Sequence, residues 1–164
     1  MAVHSIKAVQ KIPVSLSKAW DFFSNPANLD IITPDDMAFK IISKNTCDKI
    51  YKGQLIEYKV SPVLRIPLYW MTKITEMEEG KYFIDEQKKG PYRLWHHEHH
   101  FKEIEGGVKI MDFVLYKNPF GLIGDAANSL FVKKKLLKIF RFRFRKVEDV
   151  LGKWPHQKAS IQID

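Results

Sequence analysis

Hydrophobic and polar positions alternate with period 2 along most of the chain before residue 118, and two stretches switch to helical spacing. Residues 5–12 place Ile6, Ala8, Gln10 and Ile12 on one face and Lys7, Val9 and Lys11 on the other, the pattern of a strand that Pro13 ends. Leu16, Ala19, Trp20 and Phe23 then recur at i, i+3, i+4 and i+7, which predicts a short amphipathic helix with Ser15 or Ser17 as its cap. Asn25-Pro26 stops that helix and starts a second short one through residues 29–32. Strands are predicted at 37–43, 53–60, 68–77, 81–87, 93–103 and 108–116. They are separated by turns at 34–36, 46–48, 78–80, 90–91 and 105–107, with Ser61-Pro62 as a further break. Residues 125–151 lack proline and glycine. Leu130, Leu137, Phe140, Phe144, Val147 and Leu151 form one helical stripe there, with Lys134, Lys138, Arg141 and Arg145 on a different face and Gly152 as the stop.

This order predicts an α+β domain over residues 1–152, followed by a polar, flexible tail at 153–164. A curved antiparallel sheet of about seven strands has one apolar face to cover, and the long C-terminal helix is placed to cover it. A chain of 164 residues, 45% hydrophobic and 13% aromatic, suits one globular domain with a real core. One cysteine, Cys47, excludes an internal disulfide and is read as an inert thiol in a turn. The opening MAVHSIKAVQ has no basic segment followed by an apolar one, and no apolar run approaches the length of a spanning helix. A soluble, cytoplasmic protein is expected.

The net charge of +8 is a local property. Lys133, Lys134, Lys135, Lys138, Arg141, Arg143, Arg145 and Lys146 contribute eight positive charges, and the remainder is close to neutral. Arg141 to Arg145 alternate basic and aromatic residues, as some RNA-binding segments do, but a helix scatters such residues round its axis. The phenylalanines read as core, and no nucleic-acid partner is expected. Residues 62–70, with Val63, Leu64, Ile66, Leu68 and Tyr69, are read as an apolar rim, which together with the basic helix face could meet an anionic membrane. A charged helix face is more often simply solvated, so membrane contact stays a minor alternative.

The candidate chemistry gathers in residues 82–101. Phe83, Asp85 and Gln87 share one strand face; after Gly90-Pro91, so do Trp95, His97, His99 and Phe101. On the following strand Asp112, Val114 and Tyr116 share a face. Pairing these strands puts a carboxylate, an amide and two imidazoles beside a second carboxylate among large aromatics. Polar groups in such a place must satisfy one another or receive a ligand. Three readings stay open: anchors for the polar end of a ligand, a ladder that fixes strand register, or a His–Asp acid–base pair. His96, Glu98 and His100 fall on the opposite, solvent-facing side. His97 and His99 point the same way and could share an ion with Asp112, but the run is not the helical HExxH, and no metal or other cofactor is expected. Residues 118–124, apolar and containing two glycines, are read as a lid.

SLSKAWDFFSNPANL at 15–29, together with the order of elements, resembles the START-like (SRPBCC, helix-grip) superfamily over roughly residues 3–151. ITP at 32–34, FIDEQKKGPYRLWHHEHHF at 83–101 and MDFVLYKNPFG at 111–121 resemble its bacterial cyclase/dehydrase-like subgroup. The resemblance implies a cavity for a hydrophobic ligand between sheet and long helix. No catalytic residue set of the superfamily matches, so none is carried over. The expected function is binding of a small hydrophobic or amphipathic molecule. Phe83, Trp95, Phe101, Phe140 and Phe144 would line the apolar part, with Asp85, Gln87, His97, His99, Asp112 and Tyr116 at the polar part. The alternatives are a cyclase or dehydratase with a cavity histidine as base, and an interaction module without ligand. The pattern specifies neither the ligand nor an oligomeric state.

Overall fold

The computed structural model describes residues 2–43, 48–61, 66–119, 126, 131–158 and 160–164. The elements are β1 (His4–Ile12), α1 (Leu16–Phe23), two 3-10 turns (Pro26–Leu29 and Asp35–Met37), β2 (Lys40–Ile41) and β3 (Leu55–Val60). They continue with β4 (Leu68–Glu78), β5 (Tyr82–Lys89), β6 (Leu94–Ile104), β7 (Gly107–Lys117), α2 (Lys133–Leu151) and β8 (Ser160–Ile163). One antiparallel sheet carries all eight strands in the order β2-β3-β4-β5-β6-β7-β1-β8. The long helix lies against its inner face, which makes this the helix-grip α+β fold.

Alternation builds the inner face as expected. Ile6, Ala8, Gln10 and Ile12 of β1 are buried, as are Val108, Ile110, Val114 and Tyr116 of β7. β4 changes register between Met71 and Thr72 and again between Ile74 and Glu76. Such bulges bend a strand and help the sheet curve round the helix. In the β6–β7 turn Gly106 takes a φ of 80°, and Gly107 lies too close to the Ile12 carbonyl for any Cβ.

On α2, Phe140, Phe144, Val147 and Leu151 are buried as the stripe requires, but Leu136 rather than Leu137 continues it. Ser15 caps α1, its hydroxyl accepting from the Lys18 amide at 3.3 Å. The strand expected at 37–43 shrinks to Lys40–Ile41. The turn at Pro34 runs on through a buried Met37, and Ala38 adopts a left-handed φ of 43° that delays the ladder. The expected turn at Cys47 and the expected lid beyond Pro119 lie outside the described residues. So do residues 62–65 of the proposed rim and Leu130 of the stripe.

The flexible tail is corrected. Ser160–Ile163 returns antiparallel to β1, with Ile163 opposite Ile6 and Ile161 opposite Ala8. Both isoleucines pack on the cluster of Leu136, Phe140 and Tyr116. The Gln157 amide accepts from the Lys11 N–H at 2.5 Å and donates to its carbonyl at 2.9 Å. Four residues give too short an alternation to read as a strand, but β1 would otherwise present an open edge, and β8 fills it.

Removing residues 158–164 therefore costs stability. Two half-buried isoleucines and a four-residue ladder predict a loss of about 2–4 kcal/mol in urea denaturation. An unchanged midpoint would show that the pairing contributes nothing.

Candidate functional site

The site lies mid-sheet, where β5, β6 and β7 are adjacent. Register sets Asp85 opposite His97 and Phe83 opposite His99 on one side; on the other, Asp112 stands opposite His99 and Val114 opposite His97. The shortest polar contacts to Asp85 and His97 run diagonally. His99 Nε2 lies 2.9 Å from Asp85 Oδ2, and His97 Nε2 lies 3.0 Å from Asp112 Oδ1. His99 Nδ1 also reaches Asp112 Oδ1 at 2.9 Å, and His97 Nδ1 faces Asp85 Oδ2 at 3.7 Å. The two imidazoles are in contact, tilted by 36° with centroids 3.7 Å apart, and the Phe83 ring stacks on His99 at 4.1 Å.

Arg143 completes the cluster from the helix. Its Nη2 lies 3.2 Å from Asp112 Oδ1 and 3.3 Å from His99 Nδ1, and its guanidinium sits over the Phe23 ring. Ala8, the β1 residue opposite Asp112, is too small to cover the carboxylate, which leaves the space the guanidinium uses. Sequence reasoning counted Arg143 only among the basic residues. The missed signal is its spacing: three residues after Phe140 and four before Val147, it stands on the buried stripe. A charge at such a position needs a buried partner of opposite sign.

The electrostatics follow from this geometry. Burial works against a charged Asp112, but Arg143 and hydrogen bonds from both histidines hold its carboxyl well below the ordinary range. Burial opposes charge on Asp85 too, but the hydrogen bond from His99 together with the fields of His97, His99 and Arg143 outweighs it and holds the carboxyl below its usual range. Burial also opposes protonation of His99, yet hydrogen bonds to Asp112 and Asp85 raise its pKa above the usual value. His97 goes the other way: burial and the neighbouring His99 charge push it down to about 4. Below the raised pKa of His99, the two carboxylates are balanced by Arg143 and the His99 imidazolium, whose two nitrogens face Asp85 and Asp112 at 2.9 Å each. His97 stays neutral, with its Nε2–H donated to Asp112 and a bare Nδ1 turned toward Asp85.

Between this wall and α2 lies a cavity of about 830 Å³. Most of its lining is apolar, including Phe83, Trp95, Phe140, Ile56, Ile74 and Ile139, while Asp85, His97, His99 and Arg143 supply a polar patch. Tyr58, Trp70 and Thr72 add a smaller one: the Thr72 hydroxyl accepts from Trp70 Nε1 and contacts the Tyr58 hydroxyl, both at 3.1 Å. Burial pushes the Tyr58 phenol up, so it remains a neutral hydroxyl. Asn118 and Pro119 of the expected lid, and Leu68 and Trp70 of the expected rim, also border the cavity.

Five residues expected at the cavity are placed elsewhere. Phe101 is a core residue packed against Trp20 and Phe23, with ring centroids at 5.3 and 5.5 Å. Phe144 lies beyond Phe140, beside a small separate cleft, and its carbonyl accepts from Gln10 Nε2 at 2.8 Å. Gln87 folds back over the β5–β6 turn, donating to the Tyr92 carbonyl at 2.5 Å and accepting from its amide at 3.2 Å. Asp112 sits behind the histidines rather than on the cavity lining. Tyr116 is fully buried against Tyr92 and Trp95. On the outer face, His96 and His100 pair with Glu98 at 3.0 and 2.8 Å.

No protein-family model matches the chain, and no curated protein sequence does. Solved structures do match in shape. A START superfamily protein from Mycobacterium smegmatis is similar with a TM-score of 0.67 at 9% identity, covering 90% of this chain and 97% of that one. Protein CV1439 from Chromobacterium violaceum gives 0.70 at 6%, covering 92% and 98%. Ara h 8.0201 gives 0.57 at 18%, covering 90% and 99%. At these identities the likeness is one of fold: the chain has the START-like helix-grip fold. Among the described residues, no helix is long and apolar enough to cross a membrane.

The charge assignment has a pH signature. A depressed His97 pKa contributes stability that is full above ~6.5 and is lost as pH falls through about 4; a raised His99 pKa contributes stability that is full below ~6.5 and is lost at higher pH. Nitrogen-15 NMR of the imidazoles should show His97 as the Nε2–H tautomer with a midpoint near 4, and His99 doubly protonated at pH 6.5. Parallel titration of both rings near their ordinary value would rule this assignment out.

Proposed function

We propose that the protein binds a small hydrophobic or amphipathic molecule in the cavity between sheet and helix, with its polar end at Asp85, His97, His99 and Arg143. The observation that carries this reading is a cavity of about 830 Å³ whose apolar lining is interrupted by one charge-balanced polar cluster. That volume lies in the range of small-molecule sites, and a few convergent polar groups on an apolar wall are the usual division between orientation and affinity. A cavity that the described side chains leave open supports binding over an interaction module whose own side chains would occupy the space. The cluster offers a bare imidazole nitrogen and a carboxylate as acceptors beside the Arg143 donors. A hydroxyl, enol or phenol on the ligand can donate to the first pair and accept from Arg143. Lys134, Lys135 and Lys138 border the same cavity from α2, the latter two paired with Asp36 at 3.2 and 2.7 Å.

Native mass spectrometry of freshly purified protein should reveal a discrete bound mass that denaturation releases. A fluorescent naphthalene probe should bind the emptied protein, and Ile139→Trp, which fills the cavity from the helix, should weaken the probe at least about tenfold without lowering the unfolding midpoint. Equal binding by wild type and Ile139→Trp would remove the cavity as the site.

A second reading, proton transfer of cyclase or dehydratase type, is favoured by a neutral His97 directly against a protonated His99 on the cavity wall. It requires that a co-purifying molecule change mass or isomer during incubation with wild type but not with His97→Asn. A ligand recovered unaltered from both would leave binding alone.

A further inference from the structure

We infer that Asp85, His97 and His99 form a three-ligand site for a first-row divalent transition-metal ion, open toward the apolar cavity. The two histidines stand two residues apart on β6 and both point inward; Asp85 joins them from the adjacent β5. Donor atoms of the three residues all lie within 4.8 Å of one another. Asp85 Oδ2 is 2.9 Å from His99 Nε2 and 3.7 Å from His97 Nδ1. Ligands at ~2.0–2.2 Å from a common ion stand roughly 2.9–4.2 Å apart, so both separations suit one.

The supporting shell is already built. Asp112 Oδ1 receives the far nitrogen of each histidine, His97 Nε2 at 3.0 Å and His99 Nδ1 at 2.9 Å. That contact fixes the tautomer in which His97 Nδ1 and His99 Nε2 are turned toward Asp85, the carboxylate–histidine–metal arrangement. Arg143 in turn pins Asp112. Asp112 looks like the natural third ligand in the sequence, but its Oδ1 already takes three donors and works from behind. Asp85 is the carboxylate that shares the cavity with the histidines.

The geometry also leaves a gap that a cation fills. His97 donates Nε2–H to an acceptor-only carboxylate, so in its neutral form its Nδ1 lone pair faces the Asp85 carboxylate across 3.7 Å with no proton between. An ion bound there displaces the proton that His99 shares with Asp85. The cluster then goes from charge-balanced to one positive charge in excess. An anionic oxygen from the cavity, hydroxide or the head of an occupant, would balance it at an open coordination position. Two imidazoles and one carboxylate suit Zn²⁺, Fe²⁺, Co²⁺ or Ni²⁺ rather than Mg²⁺ or Ca²⁺. The inference shares the cavity wall with the function proposed above but needs no organic occupant.

Co²⁺ titrated into chelator-treated, ligand-free full-length protein tests it. One equivalent should bind with a visible absorption band, Asp85→Asn should lower the affinity about tenfold or more, and the outer-face pair His96→Gln/His100→Gln should leave it unchanged. Should Asp85→Asn fail to fold, nitrogen-15 NMR of wild type with Zn²⁺ decides, through shifts at His97 Nδ1 and His99 Nε2. No binding up to about 1 mM, binding unaffected by Asp85→Asn, or loss of binding in the outer-face variant would overturn the site. The naphthalene probe, measured in the same samples, separates the two proposals. Probe binding without metal binding sinks only this one, and metal binding without probe binding sinks only the other.

Discussion

The structure turns on the burial of the Asp112 carboxylate under the long helix. Placing that charge mid-sheet, away from water, is tolerable only if cations and hydrogen bonds meet it there. Arg143 supplies the cation from α2, and His97 and His99 supply donors from β6. One consequence is positional: the guanidinium can reach Asp112 only when the helix sits at one translation and rotation on the sheet. A stripe of Leu136, Phe140, Phe144 and Val147 would pack acceptably in neighbouring settings. The ion pair selects among them, and Ala8 keeps the path to the carboxylate open.

Fixing the helix in this way also shapes the cavity. With Phe144, Val147 and Leu151 docked toward the Ile12 end of β1, the N-terminal half of α2 borders an unfilled space lined by β3, β4 and β5. The bulged β4 curves that wall away from the helix. Trp70 meets Tyr92 and Trp95 edge-on, with ring centroids 5.6 and 5.4 Å apart, and the Tyr92 and Trp95 rings tilt together at 4.9 Å, so these large aromatics support one another. The void is therefore framed by rigid rings and a pinned helix.

Much of this was legible in the sequence because a strand has period 2. Alternation alone assigns His97 and His99 to the inner face and His96, Glu98 and His100 to the outer one, and it puts Asp85 and Asp112 beside the inner pair. What alternation cannot supply is the diagonal bonding across the ladder, which depends on rotamers and twist. It also could not separate Trp95 and Phe83, which border the cavity, from Phe101 and Tyr116, which are core: all four are inward aromatics on adjacent strands. Gln87 was misplaced because a side chain at a strand end can turn back on its own turn. Arg143 was obscured by charge density, since among Arg141, Arg143 and Arg145 only the helical angle separates the buried guanidinium from the other two. β8 escaped because a four-residue strand carries almost no periodic signal; the need for it lies in the open edge of β1.

The cluster divides into two halves with different physical demands. Asp112 and Arg143 are satisfied: the carboxylate oxygen carries three donors, and the guanidinium has both an anion and an aromatic face. Neither depends on the cavity for a partner: together they hold the helix and the imidazole tautomers, and Arg143 still borders the cavity with donors to spare. Asp85 and His97 are less complete. Apart from the His99 contact, what lies between them is an acceptor facing an acceptor across 3.7 Å at the edge of an apolar space. Two lone pairs in that relation repel unless a proton, a donor or a cation separates them. A register device would have no reason to leave such a gap on the cavity side, since a direct hydrogen bond there would fix the strands equally well. That incomplete half is where the proposed ligand or ion would act, and the completed half behind it holds it in place.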